Sequence, residues 1–386
     1  MSNGVRAGHV SGAGKVFRVQ GIPLDWNVDR LGSVLESEGD FLSPSVRSLA
    51  IEIHGRWNTA TVSFIGVPQP IKSRIALPTT ADQADRLWLT LDDHFHGITT
   101  LYAPEEYQIN LISLSGLGGH AFGSFKERGG EHMWLRDSLP HHLVGQNEEP
   151  LARIMIYGYE SSVPKSQSFQ NITDLATTFR SSLLALATEK NILPIVFIAH
   201  SLGGLLAKEL LVLVSQSENA DEFRIFQAVF GLVFFGVPHG GMDIQSLVPM
   251  AGDGPNRPLI DSLGITNPKT REKREEAFFK ALGKREIIGF YETLMSPTAQ
   301  QDDSGRWKMD GPPTVLVTKE SATHRRHWAP GPEQLCAINR NHSEMVKFRP
   351  HDSDYENALQ LIKGIAQRAI SVSQQFSQAG NIALGV

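Results

Sequence analysis

The sequence predicts an α/β fold, a doubly wound and mostly parallel sheet preceded by a smaller α+β unit. Three observations carry this. From about residue 94, apolar runs at Tyr107–Ser115, Arg153–Tyr159, Leu193–His200 and Ala228–Val237 alternate with helical patterns at Ile172–Thr188 and Tyr355–Ser373. Strands that are apolar throughout and separated by helices form parallel sheets covered on both faces. Residues 15–92 follow a different grammar, with strand-like alternation and short turns. Finally, residues 194–208 read Pro-Ile-Val-Phe-Ile-Ala-His-Ser-Leu-Gly-Gly-Leu-Leu-Ala-Lys, an apolar strand, a serine among small residues and then a helical pattern.

Residues 1–14 are small and polar and are expected to form a disordered arm. In the α+β unit, Lys15–Pro23 alternates like a strand. Asn27–Glu38 places leucines at 31 and 35 behind a good N-cap, and so predicts a helix. Val46–Ile53 and Thr59–Ile65 predict two strands around a His-Gly-Arg-Trp-Asn turn, and Arg86–Leu91 a fourth. This order is that of a ferredoxin-like or RNA-recognition-motif-like sheet. The strand Thr-Ala-Thr-Val-Ser-Phe has one aromatic and no Arg/Lys-Gly start, so base stacking is not expected and a protein-contact role is. The larger unit is expected over residues 93–373, with a tail over 374–386. Within it, Gly240–Pro313 reads as an insertion, Gly/Pro-rich at first and then a charged helix over Lys269–Leu294. We expect residues 245–310 to cover the site as a cap, and Thr314–Thr318 to resume the sheet.

Net charge is −5 over 386 residues, which supplies no basic surplus for nucleic acid. One cysteine, Cys336, allows no internal disulfide and suits a reducing, cytoplasmic setting. The N-terminus lacks an apolar signal core. The longest apolar stretch, Ala228–Pro238, falls short of the ~20 residues a spanning helix needs, which leaves peripheral membrane contact open.

The chemistry centres on Ser201. A nucleophile elbow is sharp and strained, so residues two before and two after the serine must be small; here they are Ala199 and Gly203. A serine hydroxyl needs a histidine to take its proton and a carboxylate to orient that histidine. In doubly wound hydrolases the chain order is serine, acid, histidine. His342, just before the last helix, stands where the base belongs. His200 reads as a packed or hydrogen-bonded support, His239 as part of the site floor, and His324 and His327 as solvated loop residues. For the acid, Glu320 follows the strand expected at 314–318, and Asp243 is the alternative. The oxyanion donors are expected to be the N–H groups of Leu202 and of Leu117, with Gly118 next, in the glycine loop Ser115–His120. That loop lacks the Gly-x-Gly-x-x-Gly spacing, and Gly12-Ala-Gly-Lys15 lacks the first glycine and the Ser/Thr of a phosphate loop. His94/His96 and His141/His142 have no further ligand at metal spacing. No cofactor and no metal are expected.

Six segments, in order, resemble a known family: Gly116–His120, Trp134–Pro140, Ile156–Tyr159, Ile198–Gly204, Phe234–Gly240 and Asn341–Phe348. Together, over about Phe95–Ile370, they resemble the α/β-hydrolase domain of serine-active-site-containing and PGAP1-like lipases and esterases, in particular versions at the N-terminus of fungal NACHT/NOD-like receptor proteins. The resemblance implies a Ser-His-acid esterase acting on a small-molecule or lipid ester. In the receptor context it implies a signalling effector, with residues 15–92 available to a protein partner. Ala199 replaces the usual leading glycine, and Ser115 replaces the usual histidine before the oxyanion loop.

Overall fold

Two large sheets divide the chain between them. The computed structural model describes residues 15–37, 43–64, 73–76, 88–188, 192–265, 268–323 and 333–383. The arm expected over 1–14, His324 and His327 lie outside the described residues.

The first sheet takes β1 (Val16–Ile22), β2 (Ser45–Ile51), β3 (Asn58–Ser63), β4 (Arg74–Ala76) and β5 (Trp88–Asp92), with α1 (Val28–Ser37) between β1 and β2. Its order is β2-β3-β1-β5-β4, and its paired strands are antiparallel. Leu31 and Leu35 of α1 bury their side chains with Phe17, Val19, Val62 and Leu91 of the sheet. The order β2-β3-β1-β5 is the one expected of a ferredoxin-like sheet. β4 is an unanticipated edge strand.

The second sheet is built from β6 (Gly97–Tyr102), β7 (Ile109–Leu114), β8 (Ala152–Gly158), β9 (Ile195–His200), β10 (Val229–Phe235), β11 (Glu286–Glu292) and β14 (Glu333–Ile338). Its order is β14-β11-β10-β9-β7-β8-β6, with β6 antiparallel to β8 and the other pairs parallel. A short hairpin, β12 (Ser296–Gln301) and β13 (Trp307–Thr314), follows β11. Helices α4 (Ile172–Ala187), α5 (Leu202–Ser215), α6 (Ala220–Ala228) and α9 (Pro268–Leu282) supply one core layer, with Phe179, Leu206, Ile225 and Phe278 buried in it. The short α2 (Trp134–Asp137) and α3 (Leu139–His142) and the long α11 (Ser353–Ala383) supply the other, with Trp134, Leu139, Ile362 and Ile365. Trp134 anchors that layer and donates its indole N–H to the Val346 carbonyl at 2.9 Å. Three further short helices, α7 (Leu247–Ala251), α8 (Arg257–Leu263) and α10 (Lys319–Thr323), lie in connections. This is the strand order of an α/β-hydrolase sheet, with helices on both faces.

The structure redraws the region read as a cap. The charged helix stops at Leu282, where Gly283 takes φ +57°. Residues 286–292 then form β11, flanked by β10 and β14 inside the sheet. The charges of α9 masked a short β-branched and aromatic run, Ile-Ile-Gly-Phe-Tyr. Thr314–Thr318 does not resume the sheet, because β13 ends at Thr314 and belongs to the hairpin. α11 continues through the expected tail to Ala383.

The two sheets meet through buried arginines. Arg18 of β1 pairs with Asp92 and donates to the Thr99 hydroxyl at 2.9 Å and the His96 carbonyl at 2.8 Å. Arg136 of α2 pairs with Asp137 and reaches the Thr61 hydroxyl of β3 at 3.3 Å.

Candidate active site

Ser201 sits between β9 and α5 at φ 51°, ψ −123°, a conformation an L-residue adopts only under constraint. Three features hold it there. Its N–H donates to the Phe235 carbonyl of β10 at 2.9 Å, and its carbonyl accepts from Gly204 N–H at 3.0 Å. A Cβ at Gly203 would lie 2.6 Å from the Ser115 carbonyl oxygen and 2.8 Å from that of Leu114, so only glycine lets α5 approach the end of β7. Ala199 lies inside β9 with no exposed surface, and its methyl is accommodated where glycine is usual.

His342 follows β14 in a turn before α11. Its Nε2 accepts from Ser201 Oγ at 2.9 Å, and its Nδ1–H donates to Glu292 Oε2 at 2.6 Å. The carboxylate oxygen fixes the tautomer, leaving Nε2 free to take a proton. Glu292 closes β11, its side chain is 1% exposed, and its other oxygen accepts the Val317 N–H at 3.2 Å. Gly236, at φ +55°, clears room for the ring, since a Cβ there would stand 3.1 Å from His342 Nδ1.

The carboxylate on His342 is therefore Glu292, not Glu320 or Asp243. Glu320 is exposed in the first turn of α10, and the strand at 314–318 that would have delivered it does not form. Asp243 spends its carboxylate on Gln245 N–H at 2.9 Å and the Thr314 hydroxyl at 3.4 Å. With β11 recognised, Glu292 lies at the end of the strand two positions from β9, which leads into Ser201. The sequence signal was present as a β-like run closing in Tyr-Glu, and the assumed long helix hid it.

The glycine loop lies against the nucleophile, and a Cβ at Gly116 would come within 2.8 Å of Ser201 Cβ. Tyr159 hydroxyl donates to the Ser115 carbonyl at 2.7 Å, and Ser161 hydroxyl to the Gly119 carbonyl at 2.8 Å, which pins the loop to the segment that follows β8. Gly118 N–H donates to the Ser161 carbonyl at 2.7 Å and so is engaged away from an oxyanion. Leu202 opens α5, where unpaired N–H groups and the helix dipole favour negative charge.

Among the described residues of the cap expected over 245–310, α7 and α8 contribute to the apolar cluster beside this loop. Leu117 packs against the buried cluster of Val163, Ala251 and Ile260, as do Leu247 and Val248. Asn256, just before α8, donates to the Ser162 and Val163 carbonyls at 3.0 and 2.9 Å. Ser201 and His342 are 4% and 6% exposed. α9 packs elsewhere, on α5, where Lys208 pairs with Glu275 and with His239 Nδ1. His239 thus faces the α5–α9 seam rather than the site floor.

His200 is hydrogen-bonded, one of the two supporting roles expected of it. Its Nε2–H donates to the His342 carbonyl at 2.8 Å. Burial, and then the proximity of His342, hold its pKa well below the usual histidine value, so the ring is neutral. Local sequence patterns give no signal for Ser296, whose hydroxyl accepts the His342 N–H at 2.9 Å.

No protein-family model and no curated protein matches the chain. Among solved structures it is similar to YbtT, the type II thioesterase of the yersiniabactin NRPS/PKS pathway, at 16% identity over 72% of this chain and 98% of that one, with a TM-score of 0.39. It is similar to the Bacillus licheniformis lipase BlEst2 at 12% identity over 68% and 97%, TM-score 0.39. It is also similar to the Legionella pneumophila phospholipase PlaB at 10% identity over 70% and 63%, TM-score 0.41. At these values no residue role is carried across; the fold reading rests on strand order.

Proposed function

We propose that the protein is a serine hydrolase that cleaves a carboxylic ester through an acyl-enzyme intermediate, with Ser201 as nucleophile, His342 as base and Glu292 as its acid. One observation supports the reading above all: a serine on a strained elbow, 2.9 Å from a histidine whose other nitrogen is 2.6 Å from a buried carboxylate.

Ser201 Oγ attacks the acyl carbonyl carbon while its proton passes to His342 Nε2. The carbonyl oxygen becomes an oxyanion that Leu117 and Leu202 N–H groups stabilise. Glu292 holds the imidazolium in place and offsets its charge. Collapse breaks the bond to the alcohol, whose oxygen takes the proton from Nε2. Water then gives its proton to Nε2, its oxygen attacks the acyl carbon, and the acid leaves as Ser201 regains its hydrogen. The apolar cluster of Val163, Ala251 and Ile260 against Leu117, beside the serine, favours an apolar acyl group. No cofactor enters any step.

A fluorophosphonate should label the wild-type chain at Ser201 and leave Ser201→Ala unlabelled. Equal labelling of the two would remove the basis of the proposal.

A further inference from the structure

Resting on the hydrolase reading above, we infer that His200 and Ser296 are positioning residues that grip the backbone of His342 from its two sides and so set the distance between its Nε2 and Ser201 Oγ. His342 lies in a turn, outside any helix or strand whose ladder would fix it. Glu292 restrains the ring at Nδ1 but leaves the backbone beneath it free to shift. The two backbone groups of His342 are each taken by a side chain. Its N–H donates to Ser296 Oγ at 2.9 Å, and its carbonyl accepts from His200 Nε2 at 2.8 Å. Both partners are buried, at 2% and 7% exposure, so water does not compete for these bonds.

The chain positions of the two partners matter. His200 immediately precedes Ser201, and Ser296 comes four residues after Glu292. The nucleophile's own strand end thus holds one side of the base, and the acid's own connection holds the other. Each triad partner reaches His342 twice, once at the ring and once, through a neighbour, at the backbone. His200 is suited to this because its buried ring stays neutral and places no second cation beside the imidazolium that forms at His342, 4.8 Å away between ring centroids. Gly116 completes the arrangement, since a Cβ there would come within 3.0 Å of His200 Nδ1.

The grip depends on a donor at the position of Nε2, not on the volume of the ring. Glutamine can place an amide N–H there, whereas leucine fills space and donates nothing. We expect His200→Leu to slow phosphonylation of Ser201 by a fluorophosphonate up to about 10²-fold, the scale of a 1 Å misplacement. His200→Gln should recover most of that rate. A packing role would give the reverse order. Equal rates for the two variants, or a faster His200→Leu, overturn the grip while leaving the hydrolase reading intact. Should His200→Leu not fold, Ser296→Ala carries the same test, because it removes one oxygen and leaves the His342 N–H without its acceptor; there a wild-type rate overturns the grip. Failure of the wild-type chain to react at all would fell the hydrolase reading itself, a different outcome from either.

Discussion

Glu292 is the residue on which sequence and structure part most sharply. With its side chain 1% exposed and bonded to His342 Nδ1 and to Val317 N–H, it can do for the imidazole what Glu320, exposed on α10, cannot. Glu292→Gln should lower turnover of an ester substrate by about 10⁴-fold, the scale seen when a Ser-His-Asp triad loses its orienting carboxylate, because the wrong tautomer is then favoured. Glu320→Gln and Asp243→Asn should each stay near the wild-type rate. Steady-state kinetics of the three variants with one activated ester separates them, and a large loss in Glu320→Gln would contradict the geometry.

Among the elements, the β9–α5 elbow carries the tightest steric demand. A methyl added at Gly203 would stand within 2.8 Å of two carbonyl oxygens at the end of β7, and one at Gly204 would meet Val237. Gly203→Ala would have to move α5 off the sheet. Overpacking of this kind typically costs about 1–3 kcal/mol, and here it would also displace Ser201 and the Leu202 N–H. A lower denaturation midpoint with a disproportionate loss of fluorophosphonate labelling is expected; a silent substitution would show that the helix has room. α4 makes a milder case. Asn171 accepts from the N–H groups of Thr173 and Asp174, and Asp174 accepts in return from Asn171 N–H. Asn171→Ala should cost about 1 kcal/mol in the same measurement, the usual size of an N-cap.

For the whole molecule, the buried neutral His200 ties stability to pH. Its folded pKa is depressed, whereas in the unfolded chain it titrates near the ordinary value of about 6.5. Below that pH the unfolded state binds a proton that the folded state refuses, so its contribution is intact above about pH 6.5 and falls as pH drops, by up to about 1.4 kcal/mol per unit. Urea midpoints at pH 8 and pH 5 should differ less for His200→Gln than for wild type. The union of the two sheets makes a second global prediction. Arg18→Met removes a buried guanidinium that binds Asp92, Thr99 and the His96 carbonyl. It should lower stability by about 1.5–3 kcal/mol, the range for hydrogen bonds to charged groups, in an unfolding transition monitored by both fluorescence and circular dichroism.

Most of the architecture is readable from the chain because it repeats locally. Strands 107–115, 153–159, 193–200 and 228–237 announce themselves as apolar runs, α4 by its cap, and the elbow by Ala199, Ser201 and Gly203. The chain order of serine and late histidine points to His342 without any coordinates. Periodicity and short steric rules therefore suffice for the four adjoining strands β10, β9, β7 and β8 and for singling out Ser201 and His342. Packing brings Glu292 to His342, engages the Gly118 N–H with Ser161, and supplies the partners of the His342 backbone. β11 is seven residues long and adjoins a charged helix, so periodicity cannot separate them, and its identity as a strand comes from pairing with β10 and β14. Whether Glu292, Glu320 or Asp243 reaches His342 depends on which strand end lies beside β10, and that is a long-range fact of packing that no local pattern encodes.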